Sequence, residues 1–362
     1  MQETNIHETI AITIPNPILF KDFFPEDTII ITTLKEFNAE VQKMIKIISE
    51  NEFTAAIPKV ITELLAVQKT QMLPMSDGVK LYCEQYLTPN AVGNIVIIHG
   101  FTEFIAKYKE MIKYYRDAGF NVFIYDQRGH GLSDREVDNL KTIHVTCFER
   151  YVEDLETVIT DLVEPQAPKL PLYLSSHSMG GTVSALYMMK HPNAVKKAVM
   201  SAPMISPKTH SIPRFLVLNA VKRWGKRYGW DQKFKYTGDF NPNVTFSDAL
   251  DGSRSRFEWV IGLRLAEPRY QTSASTNSWM REAIEVRDRI LNKKALQEIT
   301  TDILILSAEK DTVVHNNAQR KFAKMLCNCR FVTIGGSKHN IFFSTEERIK
   351  QFYNEALPFL GR

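Results

Sequence analysis

Leu170-Pro171-Leu172-Tyr173-Leu174-Ser175-Ser176-His177-Ser178-Met179-Gly180-Gly181 begins as an apolar run and ends in small and polar residues. Thr182, Val183, Ser184, Ala185, Leu186, Tyr187 and Met188 then continue at helical spacing. The pattern predicts a buried strand, a very tight turn and a helix. Ser178 falls at the turn, with Ser176 two positions before it and Gly180 two positions after. A serine held in strained geometry between strand and helix needs small residues at those two places. The usual pattern is Gly-x-Ser-x-Gly; here Ser176 replaces the first glycine and is small enough to be tolerated. By itself the stretch also fits an ordinary strand-to-helix loop with a capping serine. The rest of the chain has to decide.

The bulk numbers exclude several classes. With 362 residues, 44% hydrophobic and 24% charged, the chain fits one large globular body with an insertion or extension. A net charge of +4 without a basic-aromatic repeat gives no case for nucleic acid. Cys327 and Cys329 are too close for a normal disulfide and lack a second pair for zinc; with Cys83 and Cys147 they suggest reduced thiols and a cytoplasmic protein. Residues 1–14 carry Glu3, His7 and Glu8 and no basic region before an apolar run, so no signal peptide is expected. No run of about 18 apolar residues occurs, so any membrane contact should be peripheral.

Residues 1–69 read as a helical extension. Thr33-Leu34-Lys35-Glu36 has the form of a capping box, and Leu34, Phe37, Val41, Met44, Ile45 and Ile48 then share a face. A second helix is expected after Pro58, through Val60, Ile61, Leu64, Leu65 and Val67. Ser76-Asp77-Gly78 marks a hairpin turn. From there expected strands at 94–99, 121–126, 170–175 and 195–201 alternate with helices at 104–118, 149–163 and 179–190. That alternation predicts an α/β fold with a mainly parallel sheet and helices on both faces. It breaks at Ala202-Pro203 and resumes at Asp302. The division expected is a first core part at 70–203, an inserted helical segment at 204–299 and a second core part at 300–362.

A serine nucleophile needs a base and a third group that orients the base. In elbow folds they follow the serine in the order Asp or Glu, then His, each after a strand. Asp311 follows the apolar run Ile303-Leu304-Ile305-Leu306, and His339 follows Phe331-Val332-Thr333-Ile334. Both stand at carboxyl ends of expected strands, where open α/β sheets place their sites. Asp311 also reads as a helix N-cap, and Glu309 is a rival acid, whereas Asp302 begins its strand at the wrong end. His315 lies too close to Asp311 in sequence to be its partner, and His177 is expected to be packed. Ser178, Asp311 and His339 in the required order outweigh these separate readings. For the oxyanion, the Met179 amide opens a helix, and the loop after His99-Gly100 offers the Phe101 amide, with Thr102 as runner-up. His99 is expected to brace that loop.

With these residues in hand, the chain resembles the α/β-hydrolase family, and within it bacterial lysophospholipases and monoacylglycerol lipases. The likeness runs through His99-Gly100-Phe101-Thr102-Glu103 with Tyr108, and Asp126-Gln127-Arg128-Gly129-His130-Gly131-Leu132-Ser133. It continues through His177-Ser178-Met179-Gly180-Gly181, Ser201-Ala202-Pro203-Met204 and Gly335-Gly336-Ser337-Lys338-His339. Ser253-Arg254-Ser255-Arg256-Phe257 and Trp279-Met280-Arg281-Glu282 look like the lysophospholipase branch. The resemblance covers roughly residues 70–362 and leaves 1–70 outside. It implies a serine hydrolase acting on the carboxylic ester of a lipid-like substrate, a lysophospholipid, with no cofactor and no metal. Residues 204–299 would then be a helical cap recognising the acyl chain, with Trp279, Phe215 and Trp224 as candidate substrate-binding residues. Phe215, Leu216, Leu218, Val221 and Trp224 alternate with Lys222, Arg223, Lys226 and Arg227, which suits either a solvated cap face or peripheral contact with the inner membrane face. Each buried methylene contributes about 0.8 kcal/mol against about 1 kcal/mol for a surface lysine at an anionic membrane, so chain length should govern binding more than the head group. The alternatives are a monoacylglycerol lipase, a general carboxylesterase or acyltransferase, and a non-catalytic ligand-binding protein on the same fold.

Overall fold

Short runs dominated by Val, Ile, Phe, Ala and Met, buried along their whole length, form the centre of the sheet, as expected where helices cover both faces. The computed structural model describes residues 45–209 and 212–361. In chain order the strands are β1 (Gln68–Pro74), β2 (Lys80–Tyr86), β3 (Asn94–Ile98), β4 (Asn121–Tyr125), β5 (Thr142–Ile143), β6 (Leu172–His177), β7 (Lys197–Ser201), β8 (Ala274–Ser275), β9 (Asp302–Ala308) and β10 (Cys329–Ile334). Eight of them make one sheet in the order β1-β2-β4-β3-β6-β7-β9-β10. The β1–β2 hairpin and the β2–β4 pair are antiparallel; every later pair is parallel.

Strand side chains alternate between the faces. Ile95, Ile97, Val122 and Ile124 join one core, and Val96, Ile98, Phe123 and Tyr125 join the other. The helices, in chain order, are α1 (Phe53–Leu65), α2 (Lys109–Asp117), α3 (Glu149–Thr157), α4 (Met179–Lys190), α5 (Arg214–Tyr228), α6 (Arg254–Ala266), α7 (Asn277–Ile290), α8 (Lys293–Gln297), α9 (Asn316–Ala323) and α10 (Glu346–Gly361). Residues from α1, α2 and α10 fill the first core; residues from α3, α4, α7 and α9 fill the second. Strands β7 and β9 are neighbours in the sheet although α5 to α8 lie between them in sequence. An insertion can therefore reach the site without disturbing strand pairing.

Three local expectations change. The capping box at Thr33 to Glu36 lies outside the described residues; Ile45 and Ile48, at the end of that pattern, are buried but not helical. The next helix does not begin after Pro58 but at Phe53, with Pro58 inside it and Val67 beyond its end. Pro58 forfeits an internal hydrogen bond, and burial of Phe53, Ile57, Val60 and Leu64 offsets that loss. The insertion also holds a strand the periodicity did not reveal, since β8 pairs in parallel with β5 over two residues each.

Candidate active site

Strand β6 ends at His177 and α4 begins at Met179, so the turn between them is a single residue. Ser178 takes φ 50° and ψ −115°, in the left-handed half of backbone space that a residue with a Cβ rarely enters. The surrounding backbone holds it there: its N–H donates to Ser201 O at 3.0 Å, and its carbonyl accepts from Gly181 N (2.9 Å) and Met204 N (2.8 Å). Gly180 is required by close approach, because a Cβ there would stand 2.0 Å from Ile98 O. The position of the missing first glycine imposes no such limit: Ser176 carries its side chain, buried, without a left-handed φ.

Asp311 lies in the loop after β9 and His339 in the loop after β10, both at carboxyl strand ends beside β6 and β7. The structure brings them together with Ser178. His339 Nδ1–H donates to Asp311 Oδ2 at 2.7 Å, which leaves Nε2 as the acceptor for the Ser178 Oγ–H at 2.9 Å. The other carboxylate oxygen, Asp311 Oδ1, accepts from the amides of Val313 (2.8 Å) and Val314 (3.0 Å). The capping arrangement and the histidine contact thus use different oxygens of one side chain. Burial pushes the Asp311 carboxyl up, but the His339 hydrogen bond and charge and these two amides together hold it below the usual carboxylate value. His315 lies on the exposed start of α9 and takes no part.

The loop after β3 is braced by buried charge. Glu103 Oε2 accepts from Gly100 N and from the Tyr108 hydroxyl, each at 2.6 Å, and Glu103 Oε1 pairs with Lys107 Nζ at 2.5 Å. Burial opposes the charge on Glu103, but Lys107 overrides it and keeps the group ionised. His99 donates from Nδ1 to Gly100 O (2.8 Å) and accepts from Gln127 N at Nε2 (3.0 Å), a brace for the loop as expected. Burial lowers its pKa to about 4, so the ring is neutral. Thr102 stands at φ 63°, and its carbonyl accepts from Arg264 Nη2 at 2.7 Å. Met179, as the first residue of α4, has no intrahelical acceptor for its N–H, and Phe101 lies in the loop that faces Ser178 across the cavity. His177 is packed, with Nε2 at 3.0 Å from Asn340 Oδ1 and Nδ1 at 3.2 Å from Ser201 O.

Ser178 and His339 open into a cavity of about 270 Å³. Its apolar lining is Val244, Leu250, Phe257, Val260 and Ile261 from the insertion, together with Phe101 and Val313. The His339 loop is stitched to the insertion: Lys338 Nζ donates to Ala249 O (2.9 Å), and Asn340 Nδ2 donates to Asp251 Oδ1 (2.5 Å). Trp279, Phe215 and Trp224 are not among the lining residues. Trp279 is buried behind Phe101, ring centroids 4.0 Å apart, and so supports the loop from outside the cavity. Phe215 is 63% exposed, and the Trp224 ring meets that of Tyr228 at a tilt, centroids 4.7 Å apart. Sequence reasoning missed Val244 and Leu250, which lie in irregular segments where no period registers, and Val260, Ile261 and Arg264, because helical spacing does not tell which face meets a ligand and which meets the core. A larger cleft of about 600 Å³, lined by Asn94, Pro171, Val195 and Lys196, opens at the amino ends of the strands, the wrong end of the sheet for the serine. Among the described residues no cluster of three or more His, Cys, Asp or Glu is arranged for a metal ion.

A mainly parallel sheet covered on both faces, with a strained serine between β6 and its helix, defines an α/β-hydrolase. Residues 89–346 match the family described as serine aminopeptidase, S33, and the chain belongs to that family. Lysophospholipase L2 of Escherichia coli (strain K12) is 27% identical over 280 residues, covering 74% of this chain and 80% of that protein. A monoacylglycerol lipase of Mycolicibacterium smegmatis is 23% identical, covering 71% of this chain and 84% of its own. Among solved structures, a soluble variant of the Saccharomyces cerevisiae monoglyceride lipase superimposes with a TM-score of 0.65 at 19% identity, over 81% of this chain and 95% of that one. This last likeness is one of fold.

Proposed function

We propose that this chain is a serine esterase that hydrolyses the carboxylic ester of a lysophospholipid through an acyl-enzyme. The observation that carries the reading is the hydrogen-bonded series Asp311, His339, Ser178 opening into an apolar cavity. His339, oriented by Asp311, takes the Ser178 proton as Oγ attacks the ester carbonyl. The Phe101 and Met179 amides receive the oxyanion, the alcohol leaves with the proton, and water then releases the fatty acid. Relatives named lysophospholipase and monoacylglycerol lipase support an acyl-glycerol backbone, and a monoacylglycerol is the second reading, favoured by the M. smegmatis relative.

Residues 204–299 serve in this reading as the cap, contributing the apolar wall. Its outer helix α5 exposes Phe215 and Leu216 in its first turn and carries, two to three turns on, Arg223 and Lys226, which make no ion pair among the described residues. Arg214 and Lys222 are by contrast engaged by Asp288 and Glu285. That surface supports peripheral contact of a cytoplasmic enzyme with an anionic membrane face. Among the described residues no helix is long and apolar enough to cross a membrane.

The test is a substrate panel in which acyl length and head group vary independently. Rates should climb with acyl length and respond less to the head group, with phosphate-bearing substrates turned over fastest. Equal rates on short and long esters would remove the lipid assignment.

A further inference from the structure

Helix α6 belongs to two environments. Phe257, Val260, Ile261 and Arg264 line the cavity that holds Ser178. Arg256, Trp259 and Leu263 turn instead to the first core and to residues 45–65, which lie outside the family match. The contacts there are dense. Arg256, fully buried, donates from Nε and Nη2 to the two oxygens of Glu110 on α2, at 2.8 and 2.6 Å. Its Nη2 also reaches Ile48 O at 2.8 Å, and its guanidinium lies 4.5 Å from the Phe53 ring centroid. Ser255 N donates to Glu50 Oε1 at 2.9 Å, and the Phe53 and Trp259 rings meet edge-on at 5.7 Å. Ile48 N in turn donates to the Tyr114 hydroxyl (2.8 Å), which donates to Glu110 Oε1 (2.7 Å).

Residues 48–53 therefore touch the core helix α2 and the insertion helix α6 at once. A buried ion pair of this kind adds little net stability, because desolvation offsets the attraction, but its directed hydrogen bonds fix how two elements sit. We infer that residues 45–65 are a strap that positions α6 as the acyl-side wall of the cavity, with Arg256, Glu110 and Glu50 as positioning residues for chain binding. The inference rests on the acyl-ester reading above. The far end of α6 is anchored separately, by Arg264 on the Thr102 carbonyl. Loosening the strap therefore frees the first turns, where Phe257 and Val260 stand, and leaves the loop beside Ser178 in place.

The test uses the full chain with Glu50→Ala, which removes the acceptor for Ser255 N, Arg256→Lys and Glu110→Gln, assayed on p-nitrophenyl acetate and p-nitrophenyl laurate, with hydrogen exchange followed over 254–266. Glu50 is half-exposed, so its variant keeps the fold even where the buried pair does not. KM for laurate should rise about tenfold, the contact of about two methylenes. Both constants for acetate should stay within about twofold of wild type, and exchange should quicken in α6 while α4 is unchanged. An equal rise in KM for both esters, or unaltered exchange in α6 of Glu50→Ala and Arg256→Lys, overturns the strap. If the wild type handles acetate and laurate alike, the acyl reading of the cavity falls instead; exchange in α6 then decides the strap alone, and faster exchange supports it.

Discussion

The wall of the cavity that carries Ser178 and the wall that carries Phe257 are built from different kinds of bond. Around Ser178 the bonds are main-chain: its N–H and carbonyl reach Ser201, Gly181 and Met204, and Gly180 lets α4 close on Ile98 O. Around Phe257 they are side-chain bonds and ring contacts, made by Arg256 to Glu110, by Ser255 to Glu50 and by Phe257 to Phe246. The first kind places an attacking oxygen to the tolerance the chemistry needs. The second can be retuned by a few substitutions without touching the sheet. Chemistry and substrate choice are thus carried by separate supports.

Substitutions on each side should separate accordingly. The largest loss short of removing the nucleophile or its base falls on the main-chain side. Asp311→Asn keeps the shape of the loop but cannot hold His339 in the tautomer whose Nε2 accepts, and kcat should fall by about 10⁴ on short and long esters alike. Steady-state kinetics on the two esters checks it; a loss confined to long esters would merge the two walls.

The next effect is on stability. His99 is neutral when folded, with its pKa lowered to about 4 by burial, against 6.5 for the free side chain. Between these values the unfolded chain binds the proton that the folded chain refuses, so this residue's contribution to stability falls as pH drops from 6.5 towards 4. The term amounts to about 3 kcal/mol at most. His99→Gln removes the titration, so the stability difference between wild type and variant should change by that amount across the window. Denaturant melts at the two ends of the window would show it, and a difference independent of pH would contradict the neutral brace.

The smallest change is on the other wall. Phe257→Ala enlarges the cavity where the chain is to lie and should raise KM for a long ester about tenfold, leaving kcat for a short one nearly unchanged. A drop in kcat on both esters would mean that the side-chain wall also positions the reacting atoms.

This contrast explains what could be read beforehand. Ser178, Asp311 and His339 are legible because main-chain geometry imposes residue types and order: small neighbours at a strained turn, and polar residues directly after apolar strands. The sheet was legible for the same reason, through apolar runs alternating with helical spacing. The Phe257 wall was not. Arg256 and Glu110 are 146 positions apart and read as surface charges until the fold buries them against each other. Strand β8 has two residues, too few for any period to register. Trp279 has the composition of a ligand contact, but its apolar ring is used behind Phe101.

The central claim is that Ser178 is the nucleophile. The direct measurement is mass spectrometry of the intact protein and its peptides after treatment with a fluorophosphonate ester. The account predicts one adduct on the wild type, mapped to Ser178, and none on Ser178→Ala, whose turnover falls about a million-fold with the fold intact. An adduct on another residue, or unchanged labelling and turnover of Ser178→Ala, would contradict it.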